Sequence, residues 1–165
     1  MPKILKILIN PDKILREKSK PVEEDKITTK EFQDLCDNLQ ETMTKNDGVG
    51  LASPQVGKNN RLVVVNTKNG PVFLFNPEIT DKSWLKEWGE EGCLSVPLTF
   101  GDVRRHKRIT CAFCNRKGEK DKLKASGLLA RVIQHEIDHL DGILFIDKAK
   151  NLKILRDDQN DKKEF

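Results

Sequence analysis

The sequence has no apolar run near the roughly 20 residues that a bilayer-spanning helix needs, so we do not expect a membrane protein. It also has no internal repeat, low-complexity tract or linker, and its 165 residues fit one domain. A strong excess of one charge is missing too, because 30 Lys and Arg face 26 Asp and Glu. The net charge of +4 falls short of a sequence-specific nucleic-acid-binding composition and names no partner.

The beginning of the chain does not have the pattern of a targeting segment. Its apolar stretch is short and interrupted by Lys6, unlike a signal peptide, and Asp12 and Glu17 are unlike an acid-poor transit segment. We therefore expect a cytoplasmic protein with reduced thiols. Metal binding is then a better first hypothesis than disulfide bonding for the four cysteines, which are Cys36, Cys93, Cys111 and Cys114.

The order of the predicted elements indicates an α+β domain. A capping box at Thr28 and Glu31 precedes apolar residues at helical spacing, and Ser126 is placed to cap a second helix. The segments between them predict a hairpin (61–66 and 71–76), a strand (103–114), a return strand (123–125) and the second helix to about residue 140. Without regular βαβ alternation, antiparallel strands should pack around a central helix in the C-terminal half. Residues 147–165 are mostly charged and predict a short or frayed terminal helix.

The strongest chemical signal is an HExxH segment in the second predicted helix. His135 and His139 are four residues apart, so both imidazoles can reach one metal ion, and Glu136 leans toward the same side. These three side chains fall beside the apolar stripe of the helix. Arg131, Gln134 and Asp138 fall on the opposite face.

Two histidines leave a catalytic zinc-type site incomplete, since such a site has three protein ligands and an open position. Cys93 follows Gly92 in an EGCLS segment, and spacing alone ranks it only modestly above Cys111 and Cys114. The latter two form a single CxxC, which allows a zinc-knuckle or redox interpretation. Residues three apart on a strand point to opposite faces, however, so those thiols are badly placed to share a metal. His106 is expected to be a solvated strand residue.

Three segments together resemble the motifs of the peptide deformylase family. They are GVGLASPQ (48–55), EGCLS (91–95) and QHEIDHLDG (134–142). The similarity also includes the opening NPDKILREKSKPV and reaches to about residue 147. It implies a catalytic domain over 1–147, followed by a short charged tail over 148–165.

The resemblance assigns roles to residues of this chain. Cys93, His135 and His139 would bind a divalent metal, most commonly Fe²⁺, which Zn²⁺, Ni²⁺ or Co²⁺ can replace. Glu136 would be the general base and then the general acid when metal-bound water attacks the formyl carbonyl. The oxyanion would be stabilised by the side chain of Gln55 and the backbone N–H of Leu94. The expected substrate-binding residues are Gly48, Val49, Gly50, Glu91, Leu128 and Val132.

The family reaction removes formate from the N-formyl-methionine of newly made polypeptides. The implied partners are these nascent peptides, with a transient ribosome contact, a monomeric state and no membrane. Ser53 replaces the second alanine usual in the first motif, and an arginine often found within 98–102 is missing, although Arg105 fits a V-x-R pattern.

Two other functions remain open from the residues themselves. HExxH also serves metalloproteases, and product analysis would separate the two hydrolases. A metal that only braces the fold of a ribosome- or nucleic-acid-binding module is the alternative outside enzymes. Structural zinc sites close all four positions with protein ligands and need no glutamate between the histidines.

Overall fold

Two antiparallel sheets lie on either side of the helix that carries HExxH. The computed structural model describes residues 1–156. Its helices and strands are α1 (Lys30–Lys45), β1 (Gly50–Ala52), β2 (Leu62–Thr67), β3 (Gly70–Lys82), β4 (Lys86–Cys93), β5 (Val96–His106), β6 (Arg108–Cys114), β7 (Lys120–Ser126), α2 (Gly127–Leu140) and β8 (Lys150–Ile154). The larger sheet has the order β1-β2-β3-β6-β7, and the smaller has the order β4-β5-β8. The α+β prediction with a central C-terminal-half helix is confirmed.

The larger sheet is covered by a helix on each face. Val64 belongs to the apolar cluster that contains the α1 side chains, whereas Val63 and Val65 belong to the cluster of α2. Successive side chains of a strand point to opposite faces, so a strand between two helices is apolar throughout. This explains the LVVV run of β2 and confirms the predicted hairpin of β2 and β3. Cys111 and Cys114 also fall in different clusters, as their spacing predicts.

The amphipathic pattern of α1 places its apolar residues on the sheet, but its beginning differs from the prediction. The N-cap is Thr29 rather than Thr28, and its side chain makes no capping hydrogen bond to the helix. Its hydroxyl instead donates to the carbonyl of Lys26 at 2.6 Å, within the preceding turn. The capping-box prediction is therefore wrong, although the helix itself is present.

The smaller sheet corrects two predictions. The expected single strand over 103–114 is two strands, because the chain leaves one sheet after His106 and enters the other at Arg108. The terminal helix predicted within 147–165 is wrong for residues 150–154, which form β8 and pair with β5. Every residue of β8 is exposed, so the strand carries no buried apolar face that would have revealed it.

The predicted charged tail falls only partly within the described residues. Residues 157–165 of the charged tail lie outside the described residues, and the division into a catalytic domain (1–147) and a tail (148–165) stays a prediction. Over residues 1–156, none of the helices combines the length and apolar character that crossing a membrane would require.

Candidate metal centre and active site

Three side chains from two elements converge at one point. Cys93 ends β4, and His135 and His139 lie one turn apart on α2. Their ligand atoms all lie within 4.8 Å of one another, with Cys93 Sγ 3.3 Å from His139 Nε2. Thiolate sulfur and imidazole nitrogen are good donors for divalent first-row metals, so the donor set fits a catalytic site with three protein ligands.

The second nitrogen of His135 is held by a buried carboxylate. Its Nδ1 lies 2.9 Å from Glu91 Oε2, which leaves Nε2 for the metal centre. Burial lowers the pKa of His135, but hydrogen bonds with Cys93 and Glu91 outweigh this and raise it to about 10 in the metal-free protein. Burial also holds the pKa of His139 well below its usual value, so that imidazole is neutral and able to coordinate.

Glu91 is the centre of a buried ionic cluster. Arg105 donates to it through Nε at 2.9 Å and Nη2 at 3.0 Å, and Arg131 donates through Nη1 at 2.9 Å. Burial alone would raise the pKa of Glu91, but the hydrogen bonds from His135 and Arg105 lower it to about 2. The carboxylate thus stays ionised beside His135, in the carboxylate–histidine arrangement common at metal sites.

Glu136 is buried against the glycine-rich segment. Its Oε2 has no hydrogen-bond partner among the described residues, and burial raises its pKa to about 7. A Cβ added at Gly50 would lie 2.6 Å from Glu136 Oε1 and 2.9 Å from Val132 Cγ1. Glycine is required at position 50 because the carboxylate of Glu136 occupies the space that a side chain would fill.

Gln55 is fixed in orientation by its own backbone turn. Its Oε1 accepts a hydrogen bond from Ala52 N at 2.9 Å, and its Nε2 donates to Ser95 Oγ at 3.2 Å. Nε2 also lies 3.6 Å from Cys93 Sγ. The amide N–H groups therefore face the candidate metal centre, where they can donate to a developing negative charge.

A cavity of about 480 Å³ opens beside these groups. Val49 and Leu128 are half or more exposed at its lining, whereas Val132 is buried. The lining includes all the other predicted substrate-binding residues and most of the predicted catalytic and metal-binding ones: Gly48, Gly50, Gln55, Glu91, Cys93, Leu94, His135 and Glu136. A mainly apolar cavity with a few convergent polar groups is the usual form of a small-molecule or peptide side-chain site.

Comparison with known proteins decides the family. The model of the family described as polypeptide deformylase matches residues 4–154. A peptide deformylase of Halothermothrix orenii is 49% identical over 148 residues, which cover 88% of this chain and 94% of that protein. One from Symbiobacterium thermophilum is 45% identical over 165 residues, covering 98% of this chain and 74% of that protein. The chain belongs to the peptide deformylase family.

Solved peptide deformylases share the fold. The structure from Thermotoga maritima has a TM-score of 0.85 and 41% identity, covering 89% of this chain and 98% of that one. A structure from Synechococcus elongatus in complex with actinonin has a TM-score of 0.84 and 39% identity, covering 89% of this chain and 79% of that one. The chain is a metal-dependent hydrolase that deformylates N-formylmethionine polypeptides.

Three polar residues of this peptide deformylase lie on the face of α2 opposite its apolar stripe, and this face is also covered. Arg131 and Gln134 are buried, because β4 and β5 cover the face of α2 opposite the larger sheet. Asp138 is mostly covered as well and pairs with Arg105. Helical periodicity alone could not reveal this, since it shows which face is apolar but not whether a second layer covers the polar face.

His106 is also a correction. Its ring nitrogen Nδ1 lies 2.6 Å from the carbonyl oxygen of Ser83, and its backbone N–H and carbonyl both bond to the side chain of Gln134. The residue is partly buried at the end of β5 rather than solvated. It links β5 to α2 and lies outside the Cys93, His135 and His139 cluster.

Proposed function

We propose that this peptide deformylase acts through a divalent ion held by Cys93, His135 and His139, with Fe²⁺ as the ion in the cell and Zn²⁺, Ni²⁺ or Co²⁺ able to replace it. The convergence of one thiol and two imidazole nitrogens within 4.8 Å supports this ligand set. When bound, such an ion supplies a Lewis acid that polarises the formyl carbonyl and makes water more acidic.

Glu136 is the proposed proton carrier. It accepts the proton of the attacking water and delivers it to the amine nitrogen as the C–N bond breaks, so that formate and a free amino terminus are released. In the metal-free protein, burial raises the pKa of Glu136 to about 7, toward the range that suits a group that works first as base and then as acid. The unpartnered Oε2 of Glu136, buried beside the cavity, is the observation that carries this assignment.

Gln55 and Leu94 are the proposed oxyanion donors. The Gln55 amide is already oriented by Ala52 and Ser95, so little reorganisation accompanies the reaction. Leu94 follows directly after Cys93 in the chain and lines the same cavity. Together they would stabilise the negative charge on the former formyl oxygen.

The rest of the cavity is assigned to the peptide. The methionine side chain would lie among Val49, Leu128 and Val132, with Glu91 at the edge of this pocket. Gly48 and Gly50 would let the substrate backbone approach the edge of β1 in extended form. Gly50 also packs tightly against Glu136, where the lack of a side chain leaves space for the carboxylate.

The cellular setting is proposed more broadly. We expect a cytoplasmic protein. One copy of the chain supplies all three candidate ligands and the cavity beside them, which supports a monomer. A transient contact with the ribosome would bring the enzyme to nascent chains. Sedimentation of the purified protein, alone and with ribosomes, tests both statements.

The deciding experiment measures formate release from a formyl-Met peptide beside an acetyl-Met control, using protein purified without oxygen and assayed for metal. We expect Glu136→Gln to keep its metal and fold and to lose about 10²–10⁴-fold in kcat. Gln55→Met should lose about 10²–10³-fold. Glu78→Gln, at an exposed position of β3, is the control and should match the wild type. Unchanged turnover in Glu136→Gln would refute the proton-carrier role.

A further inference from the structure

The candidate ligands belong to two parts of the fold that are held together by side chains. Cys93 lies on β4 of the smaller sheet, whereas His135 and His139 lie on α2. β4 is an edge strand with a strand neighbour, β5, on one side only. The separation between the thiol and the imidazoles therefore depends on what fixes β4 against α2.

Arg131 makes this connection with a single guanidinium. It lies one helical turn before His135 and is 11% exposed in its side chain. Nη2 donates to the carbonyl of Glu87 at 3.0 Å, and Nη1 contacts the carbonyls of Val103 at 2.8 Å and Gly89 at 3.3 Å. Nη1 also donates to Glu91 Oε1 at 2.9 Å. One side chain of α2 thus binds the main chain of both β4 and β5.

The strand is shaped to receive this group. A Cβ added at Gly89 would lie 2.8 Å from Cζ and Nη2 of Arg131 and 2.9 Å from Nε. The backbone of Gly89 is outside the left-handed region, so glycine is needed there for space rather than for conformation. The guanidinium lies directly against the backbone of β4.

Arg105 does not duplicate these contacts. Its hydrogen bonds go to the carboxylates of Glu91 and Asp138. It orients Glu91 from the other side but binds no carbonyl of β4 through its side chain. The main-chain contacts with β4 distinguish Arg131 from the other members of the buried ionic cluster.

We propose that Arg131 is a positioning residue of the metal centre, which fixes β4 against α2 and directs Glu91 to His135 so that Cys93 stays within reach of both histidines. The inference rests on the proposed ligand roles of Cys93, His135 and His139. A loose strand would leave the thiol displaced from the ion even when every ligand is present. Residues that orient metal ligands typically change metal affinity by about 10–100-fold when replaced.

The test uses Co²⁺, whose absorbance includes a charge-transfer band from a bound thiolate. We would load the full-length wild type, Arg131→Met, Arg131→Lys and Gly89→Ala without oxygen, and measure Co²⁺ affinity by chelator competition beside the band. Arg131→Met should bind Co²⁺ about 10–100-fold more weakly with an altered band. Arg131→Lys should recover part of the affinity, and Gly89→Ala should shift it in the same direction by displacing the guanidinium.

Arg116→Met is the matched control, because Arg116 joins Gln33 and Asp37 of α1 to the turn after β6, outside the metal site. It should lower stability in urea and leave Co²⁺ affinity and spectrum unchanged. Wild-type affinity and spectrum in folded Arg131→Met would overturn the proposal. If Arg131→Met does not fold, wild-type Co²⁺ affinity and spectrum in both Arg131→Lys and Gly89→Ala would overturn the proposal.

A separate variant distinguishes failure of the ligand set from failure of this inference. Cys93→Ala should lose the thiolate band and most of its Co²⁺ affinity. A Cys93→Ala protein that binds Co²⁺ like the wild type refutes the proposed ligands, whatever Arg131 does. Loss in Cys93→Ala together with wild-type binding in the Arg131 variants refutes only the positioning role.

Discussion

Replacing Gly50 with alanine should disable Glu136 without removing any polar group. The new Cβ would begin 2.6 Å from Oε1 and 2.9 Å from Cγ of Glu136. Because an ordinary nonbonded separation is about 3.5 Å, the carboxylate has to move by roughly 1 Å. A displacement of that size can cost about 10²-fold in rate, and we expect kcat to fall by about that factor.

The same contact has a smaller effect on stability. Inserting a methyl group into packed surroundings costs about 1–3 kcal/mol, and loss of glycine freedom in the unfolded chain returns about 0.4–1 kcal/mol. Gly50 is outside the left-handed region, so alanine can adopt its backbone conformation. The variant should therefore fold and bind metal, which separates the rate effect from unfolding.

Formate release with a formyl-Met peptide gives kcat and KM, and urea unfolding gives the change in stability. Gly101→Ala is the steric control: its Cβ would lie 2.8 Å from Leu152 Cδ2 and 2.9 Å from Ala149 Cβ, with no contact to Glu136. It should lose stability but keep a kcat close to the wild type. A folded, metal-loaded Gly50→Ala enzyme with wild-type kcat would refute the expectation that a Cβ at position 50 displaces Glu136 from its working position.

Removing the metal with a chelator should lower the Tm of the protein by roughly 5–10 °C. An ion at 100 times its Kd adds about 2.7 kcal/mol to the free energy of unfolding, and each kcal/mol shifts the Tm of a domain of this size by about 2–4 °C. An unchanged Tm would contradict the expectation that the ion binds only the folded state. In the metal-free protein, the low pKa of Glu91 means that its contribution to stability is complete above pH 4.5 and lost as pH falls through about 2. The free energy of unfolding in urea should therefore differ between the wild type and Glu91→Gln by an amount that shrinks as the pH falls over this range. A difference that does not depend on pH would be the contrary result. Cys111→Ala and Cys114→Ala should each retain the wild-type metal content, because the two thiols lie in different apolar clusters; metal loss in either would revive the CxxC site.

Apolar periodicity predicted the helices and strands that bury one face or both faces. The stripe of α1, the buried run of β2 and the HExxH helix all follow from the sequence for that reason. The smaller sheet escaped because β4 contains mostly charged residues and glycine and β8 is exposed throughout. These strands are recognised by their pairing with β5, which is a tertiary contact and not a local pattern.

The site could be predicted only as far as its motifs extend. The three motifs identified the candidate ligands, Glu136 and Gln55 from the sequence alone. All of these residues lie within one region of the fold. Arg131 could not be assigned in the same way, since a charged residue opposite the apolar stripe of a helix is usually solvated. Arg105 lies on β5, whose position over α2 depends on tertiary contacts. Their burial follows from a second layer over α2, which pairs them with Glu91.

The placement of the ligands along the chain sets when the enzyme becomes competent during its own synthesis. A chain is synthesised from its amino terminus onward. The helix α2, which ends at Leu140, is therefore made well after the glycine-rich segment and β4. A growing copy that has completed Cys93 still lacks both candidate imidazole ligands and the proposed proton carrier. A copy of the chain therefore becomes competent only after α2 has been synthesised and has packed against β4.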